Sequence, residues 1–115
     1  MKDKIVQDKS KRFAIRIVKL YKFLVDEKKE FVISKQILRS GTSVGANIAE
    51  SDYAISKADF IMKTQIAVKE AAETKYWLDL LIETEYITKE QYDSISTDCI
   101  SILKLLTTIL NTSKS

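Results

Sequence analysis

The chain predicts an all-α fold, an up-down antiparallel four-helix bundle, and three observations carry that reading. Its 115 residues include no proline and only two glycines, Gly41 and Gly45, so the elements must be few and long. Apolar residues recur at helical steps of four and three through four separate segments. Two capping boxes, Ser56-Lys57-Ala58-Asp59 and Thr88-Lys89-Glu90-Gln91, mark the starts of two of these segments. With 45% hydrophobic and 30% charged residues the chain is of globular composition, and its length suits a single domain over residues 1–115 with a core of its own.

The first helix is expected over about residues 8–26, where Phe13, Ile17, Leu20 and Leu24 form an apolar stripe flanked by Ala14, Val18, Tyr21 and Val25. At about 100° per residue, Lys9, Arg12, Arg16, Lys19 and Lys22 fall on the opposite side, with Lys11 at its margin and Ile15 interrupting it. Glu27-Lys28-Lys29-Glu30 reads as a charged turn. The second helix is expected over about residues 35–51 with Ser34 as N-cap, carrying Ile37, Gly41, Val44 and Ile48 toward the core. Beside that stripe runs a polar row of Ser40, Ser43, Asn47 and Glu50. Each glycine costs a helix about 1 kcal/mol relative to alanine, so a neighbouring backbone is expected to approach closely there.

The third helix, over about residues 57–83, holds the strictest rhythm: Phe60, Thr64, Ala67, Ala71, Thr74, Leu78, Leu81, with small residues at its centre. The fourth, over about residues 89–111, repeats Tyr92, Ile95, Cys99, Ile102, Leu106 and Ile109, joined by Leu103, Leu105 and Leu110. An apolar arc that wide exceeds the need of one bundle core, and the surplus predicts burial against another subunit.

Charge is distributed unevenly. Residues 1–39 hold 12 Lys/Arg against 5 Asp/Glu, a net +7, whereas residues 40–115 hold 7 against 11, a net −4. Such asymmetry suits a face that meets a polyanion, and equally suits basic and acidic helices packed together. Lys9, Lys11, Arg12, Arg16, Lys19 and Lys22 are therefore the candidate nucleic-acid-binding residues. The chain has no histidine, which removes the commonest general base and the usual partner of glutamates in di-iron bundles, so Glu50, Glu70 and Glu73 make no metal site. Cys99 is expected to be a buried thiol. No catalytic residue, metal or cofactor is predicted. Nor does any apolar run approach the roughly 20 residues that span a bilayer, and Met1–Gln7 lacks the apolar core of a signal peptide, which predicts a cytoplasmic protein.

The stretch Ser40-Gly41-Thr42-Ser43-Val44-Gly45-Ala46-Asn47-Ile48-Ala49-Glu50, followed by Gln65–Thr74 on the next helix, resembles a bacterial family: the four-helix bundle proteins encoded in intervening sequences of 23S ribosomal RNA genes. The similarity extends over nearly the whole chain, and its most specific part is Ser43, Val44, Asn47, Ile48, Ala49 and Glu50. Where family members commonly have glycine after that glutamate, this chain has Ser51-Asp52. The resemblance implies a homopentameric ring and no settled activity; related bundles include the accessory variability determinants of diversity-generating retroelements, basic pentamers that bind nucleic acid. Ser43, Asn47, Glu50 and Glu73 are read as structural, fixing helix register. The functional expectation is a non-enzymatic oligomeric scaffold whose basic face engages RNA, DNA or a nucleic-acid enzyme. The alternative is a scaffold that binds only proteins.

Overall fold

The computed structural model describes residues 4–114, so Met1–Asp3 of the N-terminal reading lie outside the described residues. Four helices follow in order: α1 (Ile5–Asp26), α2 (Ile33–Ser51), α3 (Lys57–Glu83) and α4 (Lys89–Lys114). Each packs against the next and α4 closes on α1, which makes a square antiparallel bundle of 43 × 22 × 21 Å. The α1–α4 edge is the least closely packed of the four.

The apolar stripes form the core. Phe13, Ile17 and Leu24 of α1, Ile37, Val44 and Ile48 of α2, Leu78 and Leu81 of α3, and Ile95, Cys99, Ile102 and Leu106 of α4 are all buried. A fully buried side chain of the larger apolar kinds contributes about 1.5–3 kcal/mol, so this cluster dominates the favourable side of folding. Thr64, Ala67, Ala71 and Thr74 keep the middle of α3 slim. At that level the hydroxyls of Thr74 and Ser40 meet at 2.9 Å, a polar contact between α3 and α2 within the core.

The two glycines differ, and the close approach expected of a neighbouring backbone is made at Gly41 by a side chain instead, while the backbone at Gly45 stays at ordinary contact distance. A Cβ on Gly41 would lie 2.7 Å from Ile17 Cγ1 and 2.8 Å from Cγ2, whereas one on Gly45 would meet the Ser10 backbone oxygen at 3.4 Å. Gly41 is thus the position that lets α1 and α2 pack.

Three helix boundaries differ from expectation. Helix α1 begins at Ile5 rather than near residue 8, and its added turn buries Val6. Helix α4 runs to Lys114 rather than 111. Helix α2 begins at Ile33, two residues early, and Ser34 is not its N-cap but a buried residue of its first turn. The cap comes from outside the helix. Glu30, only 7% exposed, accepts the backbone N–H groups of Val32, Ile33 and Ser34 at 3.1, 3.0 and 2.6 Å. Burial pushes its carboxyl up, but those N–H bonds and the adjacent Ser34 hydroxyl reverse the effect and leave its pKa lowered. A carboxylate at a helix start also meets the positive end of the helix dipole. The last residue of the charged turn is therefore a buried anchor.

Of the two capping boxes one is complete: Thr88 and Gln91 exchange bonds in both directions at 2.8 and 3.1 Å. At α3 Ser56 Oγ accepts Asp59 N–H at 3.0 Å, but the Asp59 carboxylate takes the N–H of Ile55, one residue before the cap, instead of that of Ser56. At the opposite ends of α1 and α3, Lys29 (φ 54°) and Glu85 (φ 66°) hold left-handed conformations that usually fall to glycine. They bring Glu30 N–H onto the Leu24 carbonyl and Tyr86 N–H onto that of Leu81, both at 2.9 Å.

Candidate nucleic-acid interface

The basic residues of α1 divide into two sets once the neighbouring helices are in place. The α4 side of the helix holds Lys9 and Arg16. Arg16 Nη1 pairs with Asp98 Oδ2 at 2.6 Å while Nη2 reaches Ser94 Oγ at 2.8 Å, and Lys9 Nζ lies 3.4 Å from Ser101 Oγ. These two residues work as clasps across the loosest edge of the bundle, the complementary packing that charge asymmetry also allowed. Lys11, Arg12, Lys19 and Lys22 are exposed, and none of them forms an ion pair among the described residues.

Lys11 was expected at the margin of the basic side; the structure exposes it along with Arg12, Lys19 and Lys22. At 100° per residue those four cations span about 100° of the helix, a single outward arc. Asp8 and Asp26 share the arc, and Ile15 stands in it at 48% exposure. Exposed Lys28, Lys29 and Lys35 extend the positive charge around the α1–α2 connection. Flexible cations without carboxylate partners can meet phosphates at little desolvation cost.

The polar row on α2 serves packing in part. Glu50 pairs with Lys63 of α3 at 2.8 Å, and Arg39 bridges Glu70 at 3.2 Å and Glu73. Glu73 also accepts the Trp77 indole N–H at 3.0 Å. The Arg39 guanidinium and then the indole hold its carboxyl below the usual range. Glu50 and Glu73 thus join α2 to α3. Ser43 and Asn47 do not: Ser43 Oγ donates to the Arg39 carbonyl at 2.6 Å, and Asn47 Nδ2 to the Ser43 carbonyl at 2.9 Å, both within α2. Arg39 thus organises Glu70 and Glu73, a role that spacing alone does not reveal.

Cys99 is fully buried, with its Sγ 3.4 Å from the Ala71 carbonyl. Burial pushes its pKa up to about 12, the opposite of what a nucleophilic thiol needs. Beside it, Asp79 accepts from Lys75 Nζ at 2.7 Å and from the Tyr92 hydroxyl, tying α3 to α4. One large cavity, about 830 Å³, lies at the bundle end where the start of α1, the end of α2, the start of α3 and α4 from Thr97 to Ile109 meet. Among the described residues, no helix is long and apolar enough to cross a membrane.

The sequence matches the family model described as 23S rRNA-intervening sequence protein over residues 2–108. The chain belongs to that family. Among solved structures, the chain is similar to a protein of unknown function from the S23 ribosomal protein family of Bacteroides thetaiotaomicron VPI-5482. The two are 67% identical over 92% of this chain and 98% of that one, with a TM-score of 0.92. No protein of curated description matches it.

Proposed function

We propose that this protein is a cytoplasmic, non-enzymatic scaffold, a homo-oligomer and most simply a ring of five, that binds RNA or DNA through the outer face of α1. One observation carries the reading: Lys11, Arg12, Lys19 and Lys22 share an exposed arc and are left without acidic partners while Lys9 and Arg16 are used for packing. Repetition around a ring multiplies a modest patch, so that a weak site per subunit gains avidity along a polyanion. Engagement of a nucleic-acid enzyme would use the same surface. A protein partner alone is the second reading, and the half-exposed Ile15 within the basic arc favours it.

The test uses a generic single-stranded RNA, with binding followed by fluorescence anisotropy at low salt. Replacing Lys11, Arg12, Lys19 and Lys22 together by glutamine should leave the helix content and assembly unchanged, since all four are exposed, and should weaken binding at least tenfold. Absence of binding by the unaltered protein would reject the nucleic-acid reading in favour of the protein-only scaffold.

A further inference from the structure

Three aromatic side chains are exposed among the described residues: Phe31 (52%), Tyr53 (85%) and Tyr76 (58%). Their surroundings differ. Tyr76 packs edge-on against Trp77, with ring centroids 5.0 Å apart, and that indole is itself bonded to Glu73. Tyr53 lies in the α2–α3 connection, where residues 50–59 carry Glu50, Asp52 and Asp59 against Lys57 alone. Phe31 lies in the α1–α2 connection among Lys28, Lys29 and Lys35, all exposed, and Glu27 is the exposed acid of that stretch. The backbone under Phe31 is fixed on both sides. Glu30 donates its N–H to the Leu24 carbonyl at 2.9 Å, and its carboxylate accepts the N–H groups of Val32 and Ile33 at 3.1 and 3.0 Å. An aromatic side chain with two torsions on a held backbone loses little freedom on binding.

We infer that Phe31 is a stacking platform for an unpaired base, so that the nucleic acid held by the α1 face is single-stranded. This rests on the proposed nucleic-acid binding and specifies its ligand. Lys11 to Lys22 run about 17 Å along α1, and Lys22 stands one turn before the end of the helix, where the connection to Phe31 begins. A strand that follows these cations reaches the ring next. Cations along the backbone with an aromatic ring for a base is the arrangement that holds single strands; in a duplex the bases stack on one another and offer the ring no face. A lipid surface fits the charges less well. The α3–α4 connection and its flanks, at the same end of the bundle, carry Glu83, Glu85 and Glu90, all exposed, and an anionic membrane laid across that end would meet them. A strand passes the α1–α2 corner alone.

Fluorescence anisotropy with a labelled single-stranded RNA, and with the duplex it forms with its complement, tests this. Wild type should bind the strand more tightly than the duplex. Phe31→Ala and Phe31→Leu should each weaken binding to the strand by about 5- to 140-fold, the range for loss of one base–aromatic stack, and leave duplex binding unchanged. Phe31→Trp should keep the wild-type affinity, and Val32→Ser should change nothing although Val32 is 72% exposed. The salt slope should be the same for wild type and every variant, since none removes a cation. Circular dichroism checks the fold, and Phe31→Leu keeps apolar bulk at the position, so its result stands even if the alanine variant is impaired. Wild-type affinity of Phe31→Leu for the strand, or equal affinity of wild type for strand and duplex, would overturn the stacking site while leaving the phosphate face on α1 standing. A loss in Val32→Ser matching that in Phe31→Leu would also overturn it, and would mark an apolar docking surface for a protein or a lipid instead. A wild type that binds neither probe would overturn both.

Discussion

Replacing Glu30 by alanine should destabilise the protein by about 2–4 kcal/mol, far more than its place in a charged connection suggests. The carboxylate accepts three N–H groups of the first turn of α2, and Ser34, which makes the shortest of these bonds, is fully buried. Loss of an ordinary helix cap costs about 1 kcal/mol, and a buried donor left without a partner adds about 1–3 kcal/mol. Glutamine keeps one acceptor oxygen and loses the charge, so Glu30→Gln should cost about 1 kcal/mol. For a domain of this size about 4 °C accompanies each kcal/mol, so thermal unfolding at fixed protein concentration should show a drop of about 8–16 °C for alanine and about 4 °C for glutamine. The pH dependence has a definite sign. The folded pKa lies below the usual value of 4.5, so the contribution is complete above the unfolded-state pKa and is lost as the pH falls through the folded one. The difference between wild type and Glu30→Gln should therefore shrink on acidification below pH 4.5 and be flat near neutrality. An alanine variant within about 0.5 kcal/mol of wild type would refute the buried-anchor account, since that is the range of ordinary surface substitutions.

The two glycines should respond oppositely to alanine. At Gly41 the new methyl meets the branched, fully buried Ile17, and overpacking of about 1–3 kcal/mol outweighs the gain of about 1 kcal/mol in helix propensity; at Gly45 contact is ordinary and the variant should melt higher. Glu85→Gly should stabilise by about 0.5–1 kcal/mol, because φ of 66° strains any side chain, and urea unfolding would show a raised midpoint with unchanged slope. Cys99 should resist a thiol reagent at pH 8 in the folded protein and react at once in denaturant, given a pKa of about 12.

Much of the bundle was legible because its signals are local. The strict 4-3 rhythm of α3, the Ser56 cap and the full Thr88–Gln91 box need only residues at a single helix start or within one helix, and all are present. The start of α2 was hidden because its cap acts across the intervening Phe31 and Val32, while Ser34 carries the residue type of a cap inside the first turn. Ser10 concealed the opening turn of α1 in a similar way: a polar residue broke the apolar pattern, yet it is buried against Gly45. A helical wheel sorts α1 into an apolar and a basic half. It cannot say that α4 covers the Lys9 and Arg16 margin, because that depends on which helices are neighbours. Ser43 and Asn47 escaped for a different reason, since short polar side chains in a helix can bond their own backbone as readily as a partner.

The salt dependence of RNA binding tests the central claim most directly. Plotted as log affinity against log salt, wild-type binding should fall along a line whose slope, on single-stranded RNA, grows by about 0.7 for each phosphate contact. The variant with glutamine at positions 11, 12, 19 and 22 should lose up to about 2.8 from that slope for every subunit in contact, while Lys9→Gln, a residue held at the α4 edge, should leave it nearly unchanged. Equal slopes for wild type and the fourfold variant, or a salt-independent affinity, would contradict a phosphate-binding face on α1.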